Sequence, residues 1–125
     1  MKNVACKISD AEWQVMKVFW SESPSTATQV IESLKQDTQW SPKTIHTLIA
    51  RLVKKEALGV NKDSNLFQYY PLVSKEDCIR EETKSFLHKV YDGSLHLLLA
   101  NFVQDESLSA REIEDLRKLL DERIK

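Results

Sequence analysis

The sequence predicts a mainly α protein with a small β-hairpin wing: a winged helix-turn-helix domain over residues 1–73, then a helical dimerisation domain over residues 74–125. Three observations predict it. Helix starts are marked repeatedly by Ser or Thr followed three residues later by Glu, Gln or Asp. The hydrophobic period changes from that of a helix to that of a strand once, between residues 58 and 70, and then changes back. The last fifty or so residues are helical and too apolar for a segment whose core would be marginal alone.

The first helix opens at Ser9-Asp10-Ala11-Glu12, a capping box, and carries Trp13, Met16 and Trp20 at i, i+3, i+7, with Val15 and Phe19 widening the stripe. Pro24 prevents its continuation. Thr26-Ala27-Thr28-Gln29 is a second capping box, and its helix turns Val30, Ile31 and Leu34 inward. A break around Gln36–Trp40 leads to the third helix, with Ser41 as N-cap and Pro42 at the first helical position, where a missing N–H is harmless. Leu58 and Val60 then alternate with small or polar neighbours, residues 61–65 read as a turn, and Leu66–Tyr70 as a returning strand ended by Pro71.

The second half begins with a capped start at Ser74-Lys75-Glu76-Asp77. Ile79, Thr83, Phe86, Leu87 and Val90 form a stripe down a helix ending near Asp92-Gly93. Leu95–Val103 is apolar almost all round. Ser109-Ala110-Arg111-Glu112 opens the last helix, with Ile113, Leu116, Leu119 and Leu120 inward. A second copy of the chain is expected to complete this half's core. The residues expected at that contact are Ile79, Phe86, Leu87, Val90, Leu95, Leu98, Leu99, Phe102, Ile113, Leu116 and Leu120.

The third helix is the functional signal. Ile45, Leu48, Ile49 and Leu52 make one apolar stripe, and the remaining surface carries Lys43, His46, Thr47, Ala50, Arg51 and Lys54 with no acid before Glu56. Such a helix suits a DNA major groove. Ser41, Lys43 and Thr44 lie at its positive end and are assigned to phosphate and register. His46, Thr47, Ala50 and Arg51 are assigned to the groove floor, where Arg51 can bond guanine and Thr47 or Ala50 can meet a thymine methyl. Lys54, Lys55, Lys62 at the wing tip and Tyr70 complete the phosphate candidates. Residues 1–73 hold nine basic and seven acidic residues, a net of +2, and residues 74–125 nine against twelve, a net of −3. An anionic partner therefore prefers the first half.

Other classes find little support. His46, His88 and His96 sit on helices with no nucleophile or carboxylate at a telling spacing, and no Gly-rich phosphate loop or H-E-x-x-H motif occurs. Neither an enzyme nor a cofactor is expected. Cys6 and Cys78 belong to no metal-ligand cluster, so no metal is expected either; in a reducing cytosol they are expected as two free thiols, not a disulfide. No run of about eighteen apolar residues spans a membrane, and residues 1–7 lack a signal peptide's apolar core, so a cytoplasmic location is expected. A winged-helix module that binds protein instead of nucleic acid is the competing class.

The chain resembles the BlaI/MecI family of penicillinase and methicillin-resistance repressors. The residues that carry the resemblance are Ile8-Ser9-x-Ala11-Glu12-Trp13-x-Val15-Met16, Trp40–Ile45, Thr47-Leu48-Ile49, Arg51-Leu52, Phe67–Tyr70, Lys89-Val90-Tyr91 and Asn101-Phe102-Val103. The resemblance implies a homodimer that binds palindromic operators of double-stranded DNA and blocks transcription of β-lactamase or resistance genes. It also implies release through a membrane β-lactam sensor with a protease domain, by cleavage at Asn101-Phe102. The family often has Arg or Gln where this chain has His46, and the wing tip is less basic than in some relatives. A related copper-responsive branch carries a C-terminal cysteine cluster that is missing after Cys78. A member of the same family controlling a copper or stress regulon is the alternative.

Overall fold

In the computed structural model, which describes residues 4–63 and 65–124, the order is a 3-10 turn (Val4–Cys6), α1 (Asp10–Ser21), β1 (Ser25–Thr26), α2 (Ala27–Leu34), α3 (Pro42–Lys54), β2 (Leu58–Asn61), β3 (Gln68–Pro71), α4 (Lys75–Tyr91), α5 (Leu95–Gln104) and α6 (Ala110–Ile124). The fold is mainly helical with a small antiparallel sheet. The expected turn over residues 61–65 includes Ser64, and the stretch 1–7 expected to lack an apolar core includes Met1–Asn3; these positions lie outside the described residues.

Side-chain caps set the helix starts. Ser9 Oγ accepts the Glu12 N–H at 3.1 Å while Ser9 N–H donates to Glu12 Oε1 at 2.9 Å. Thr26 and Gln29 exchange the same pair of bonds, as do Ser109 and Glu112. Ser74 Oγ accepts the Asp77 N–H at 3.0 Å ahead of α4. Each such cap satisfies donors that the first helical turn leaves without an intrahelical partner. Past α4, Asp92 and Gly93 adopt positive φ (52° and 85°) and the Gly93 N–H reaches back to the Leu87 carbonyl. That closes the helix.

The wing differs in detail from the expected hairpin. Leu66 and Phe67 lie outside the returning strand, and Pro71 is its last residue instead of following it. A third strand, β1, pairs with β3 through Ser25↔Tyr69 and Thr26↔Gln68, giving the order β1-β3-β2. A strand of two residues, the second of them itself the cap of α2, carries no alternation, so sequence periodicity has nothing to register there. In the other pair Gly59 lies opposite Tyr70. A Cβ at Gly59 would fall 2.6 Å from the outer end of the Tyr70 ring, so a larger residue here would push that ring aside.

Two compact units divide the chain, Met1–Glu82 and Thr83–Lys125, the division falling inside α4. In the first, Val15, Met16 and Phe19 of α1, Val30 and Leu34 of α2, and Ile45, Leu48, Ile49 and Leu52 of α3 form the core with Leu58 and Val73. Trp13 and Trp20 are half-buried and meet edge to face, 5.4 Å between ring centroids. Trp20 Nε1 donates to the Val73 carbonyl. Cys6 and Cys78, 72 residues apart in sequence, complete the same core as free thiols with their Sγ atoms 2.7 Å apart. No described residue of the second unit is buried.

One ion pair crosses the first unit. Glu12, already bonded to Ser9, accepts Lys55 Nζ at 2.7 Å, and the same ammonium donates to the Lys7 carbonyl at 2.9 Å. The Glu12 side chain is 4% exposed and that of Lys55 31%. Burial works to raise the Glu12 pKa, but the hydrogen bond from Lys55, the Ser9 N–H and the Lys55 charge together hold it below the usual carboxylate range. Stabilisation from Glu12 is therefore fully present above its unfolded value and is lost as pH falls through the lower folded value. Glu12→Gln is expected to lower unfolding stability at neutral pH by about 1–3 kcal/mol. Urea titrations should find this gap to the parent narrowing as pH falls below the usual glutamate range; a gap independent of pH would count against the pair.

Candidate nucleic-acid interface

The face of α3 that points outward is fixed by the face that points in. Ile45, Leu48, Ile49 and Leu52 are 1, 5, 2 and 0% exposed. Lys43, Thr44, His46, Thr47, Ala50, Arg51 and Lys54 are all exposed. Buried aliphatics of this size are worth about 1.5–3 kcal/mol each, so the helix cannot rotate about its axis without losing several such terms. The outward surface carries Lys43, Arg51, Lys54 and His46 and no acid.

At its start, Ser41 Oγ accepts the Thr44 N–H at 3.2 Å and lies 3.2 Å from the Thr44 hydroxyl. Ser41 is thus a cap first, and it stays exposed at the positive end of the helix together with Lys43 and Thr44. Thr47 donates its hydroxyl to the Lys43 carbonyl at 3.0 Å. With the proton engaged, its oxygen remains an acceptor and its methyl remains available for apolar contact.

Beyond α3, Glu56 takes a positive φ of 66°, and the Ala57 N–H donates to the Leu52 carbonyl. This turn feeds directly into β2 and the wing. Lys62 is exposed, with its Nζ 5.5 Å from the Phe67 ring centroid. Tyr70 is 40% exposed and its ring lies over Gly59.

Lys55, expected among the phosphate contacts, is half-buried, and its ammonium donates to Glu12 and to the Lys7 carbonyl. It anchors the C-terminal end of α3 to the start of α1. In the sequence Glu12 reads only as part of a cap, because no local spacing pairs it with a lysine 43 residues later. Gly59 was likewise missed, although a glycine inside a strand pattern is a usable signal for close backbone approach.

In the second unit, Asn101 and Phe102 lie inside α5, not in a loop. The Asn101 carbonyl accepts the Asp105 N–H at 3.1 Å, the Phe102 carbonyl accepts the Ser107 N–H at 3.0 Å, and Asn101 Nδ2 donates to the Tyr91 hydroxyl at 3.1 Å. Of the residues expected at a dimer contact, Leu87, Leu98, Leu99 and Leu116 are half-buried. Ile79, Phe86, Val90, Leu95, Phe102, Ile113 and Leu120 are 41–57% exposed within a single chain. An apolar groove of about 380 Å³ runs between α5 and α6, lined by Leu99, Val103, Leu108, Ile113, Leu116 and Leu120 among others. No helix of the described residues is long and apolar enough to cross a membrane.

Comparison with known proteins matches this arrangement. The penicillinase repressor family model covers residues 8–122. The methicillin resistance regulatory protein MecI of Staphylococcus aureus strain N315 is 44% identical over 98% of this chain and 100% of its own length. The penicillinase repressor of Bacillus licheniformis is 41% identical over 93% of this chain and 91% of its own. Among solved structures, the DNA-binding domain of the repressor BlaI superposes with a TM-score of 0.54 at 44% identity, covering 62% of this chain and 93% of that one. Monomeric B. licheniformis BlaI in complex with the blaP half-operator superposes with a TM-score of 0.51 at 45% identity, over 57% of this chain and 87% of that one. By a match that runs through both units, the chain belongs to the penicillinase repressor family.

Proposed function

We propose that the protein is a cytoplasmic, non-catalytic transcriptional repressor. It binds palindromic operator DNA of β-lactamase or β-lactam-resistance genes as a homodimer and is released by proteolysis at Asn101-Phe102. The observation that carries the reading is the acid-free basic face of α3, held outward by a fully buried apolar stripe. A relative at 45% identity has been solved with a half-operator, which supports the same use of this surface here.

On this reading α3 enters the major groove. Lys43, Thr44 and Ser41 meet phosphate at its positive end, His46, Thr47, Ala50 and Arg51 face base edges, and Lys54, Lys62 and Tyr70 hold the flanking backbone. Half-site heads are joined through the second units, whose exposed leucines, isoleucines and phenylalanines are covered by a second copy. Binding of one head then raises the effective concentration of the other at its half-site. A membrane β-lactam sensor pathway supplies the cleavage. Because the scissile carbonyl is bonded within α5, the helix must open locally before a protease can take it as an extended chain.

Binding should be strongly salt-dependent: if a dimer neutralises roughly six to ten phosphates, affinity should fall about 10³–10⁵-fold between 50 and 200 mM salt. A flat titration would overturn the groove placement. Arg51→Ala should relax specificity at one base position of each half-site at a cost of about 1–3 kcal/mol, whereas Lys62→Ala should weaken all duplexes alike. Competition against single-base operator variants separates the two outcomes. Asn101→Ala should leave operator binding intact while abolishing antibiotic-induced release in cells that carry the sensor. Release at the normal rate would place the cut elsewhere.

A further inference from the structure

Cys6 and Cys78 stand outside the DNA-binding reading. They are 2 and 0% exposed, and their sulfurs lie 2.7 Å apart in the core of the first unit. One thiol comes from the 3-10 turn before α1 and the other from the first turns of α4, so together they join the two ends of that unit. No group of three or more His, Cys, Asp or Glu side chains suited to a metal gathers among the described residues. Two sulfurs this close also suit a bond to each other better than a metal ion between them.

We propose that Cys6 and Cys78 form a redox-modifiable pair, an intramolecular disulfide site that staples the winged-helix unit end to end. The oxidant is a low-molecular-weight disulfide. The Cys6 thiolate attacks one of its sulfurs, forming a mixed disulfide and expelling one small thiolate. The Cys78 thiolate then attacks Cys6 Sγ and expels the second. Two cysteine protons are released, two electrons reduce the small disulfide to two thiols, and one S–S bond is exchanged for another.

Access comes through opening of the three-residue turn that carries Cys6, a smaller event than unwinding α4. Burial, and then the hydrogen bond to Cys6, hold the Cys78 thiol well above the ordinary thiol range. The Cys78 thiol of the closed form therefore stays protonated, and exchange belongs to the open form. Once formed, the bond fixes the stretch running from Cys6 through Lys7, whose carbonyl accepts Lys55 at the end of α3. A cross-link between residues 72 apart removes much of the unfolded chain's freedom.

The test is to refold the full-length reduced protein in a mixture of oxidised and reduced glutathione and analyse it by mass spectrometry and non-reducing electrophoresis. The expected product has lost two hydrogens, carries no glutathione, migrates as a compact single chain and melts higher by on the order of 10 °C than the reduced form. Cys78→Ala, which removes the resolving thiol, should retain glutathione on Cys6. Should this variant fail to fold, the parent protein's mass and mobility still decide the matter. An unmodified dithiol, a stable glutathione adduct on the parent chain, or a cross-chain disulfide would each overturn the proposal.

Discussion

The first unit depends on keeping one stripe of α3 dry. Ile45, Leu48, Ile49 and Leu52 pack into the core shared with α1 and α2, and their burial decides which side chains are left for solvent. At 100° per residue, Lys43, His46, Thr47, Ala50, Arg51 and Lys54 then have only the outer surface to occupy. The same burial that stabilises the helix orients it. No separate device is needed to present its basic side.

Around that stripe, polar contacts fix position along the axis as well as rotation about it. Ser41 caps one end of α3, and the Lys55 bridge to Glu12 and Lys7 fastens the other. A partly buried pair of this kind adds little net stability over an apolar substitute, but breaking one member leaves a charge stranded. The Lys55 ammonium reaches both Glu12 and the Lys7 carbonyl, so the pair ties the end of α3 to the start of α1.

Helix starts were legible because caps are local: Ser9 with Glu12, Thr26 with Gln29, Ser41 with Thr44 and Ser109 with Glu112 are each three residues apart. The stripe of α3 was legible because its period is short. The features that escaped are non-local. The Lys55–Glu12 bridge spans 43 residues and the Cys6–Cys78 approach spans 72, and nothing in either neighbourhood announces the partner. β1 escaped for a different reason, because two residues cannot display a period. In the second unit the helices were legible, yet no described residue there is buried, since composition reports an apolar surplus without saying which surface satisfies it.

The place of β1 changes what kind of object the wing is. With β3 in the middle of the sheet, bonded to β2 on one side and to the α1–α2 corner on the other, the hairpin is no loose flap hinged at its base. A pull on its tip is carried through Tyr69 and Gln68 into Ser25 and Thr26, the residues from which α2 starts. Wing and corner thereby belong to one sheet, and β3 links the strand that leads to Lys62 with the residues that open α2.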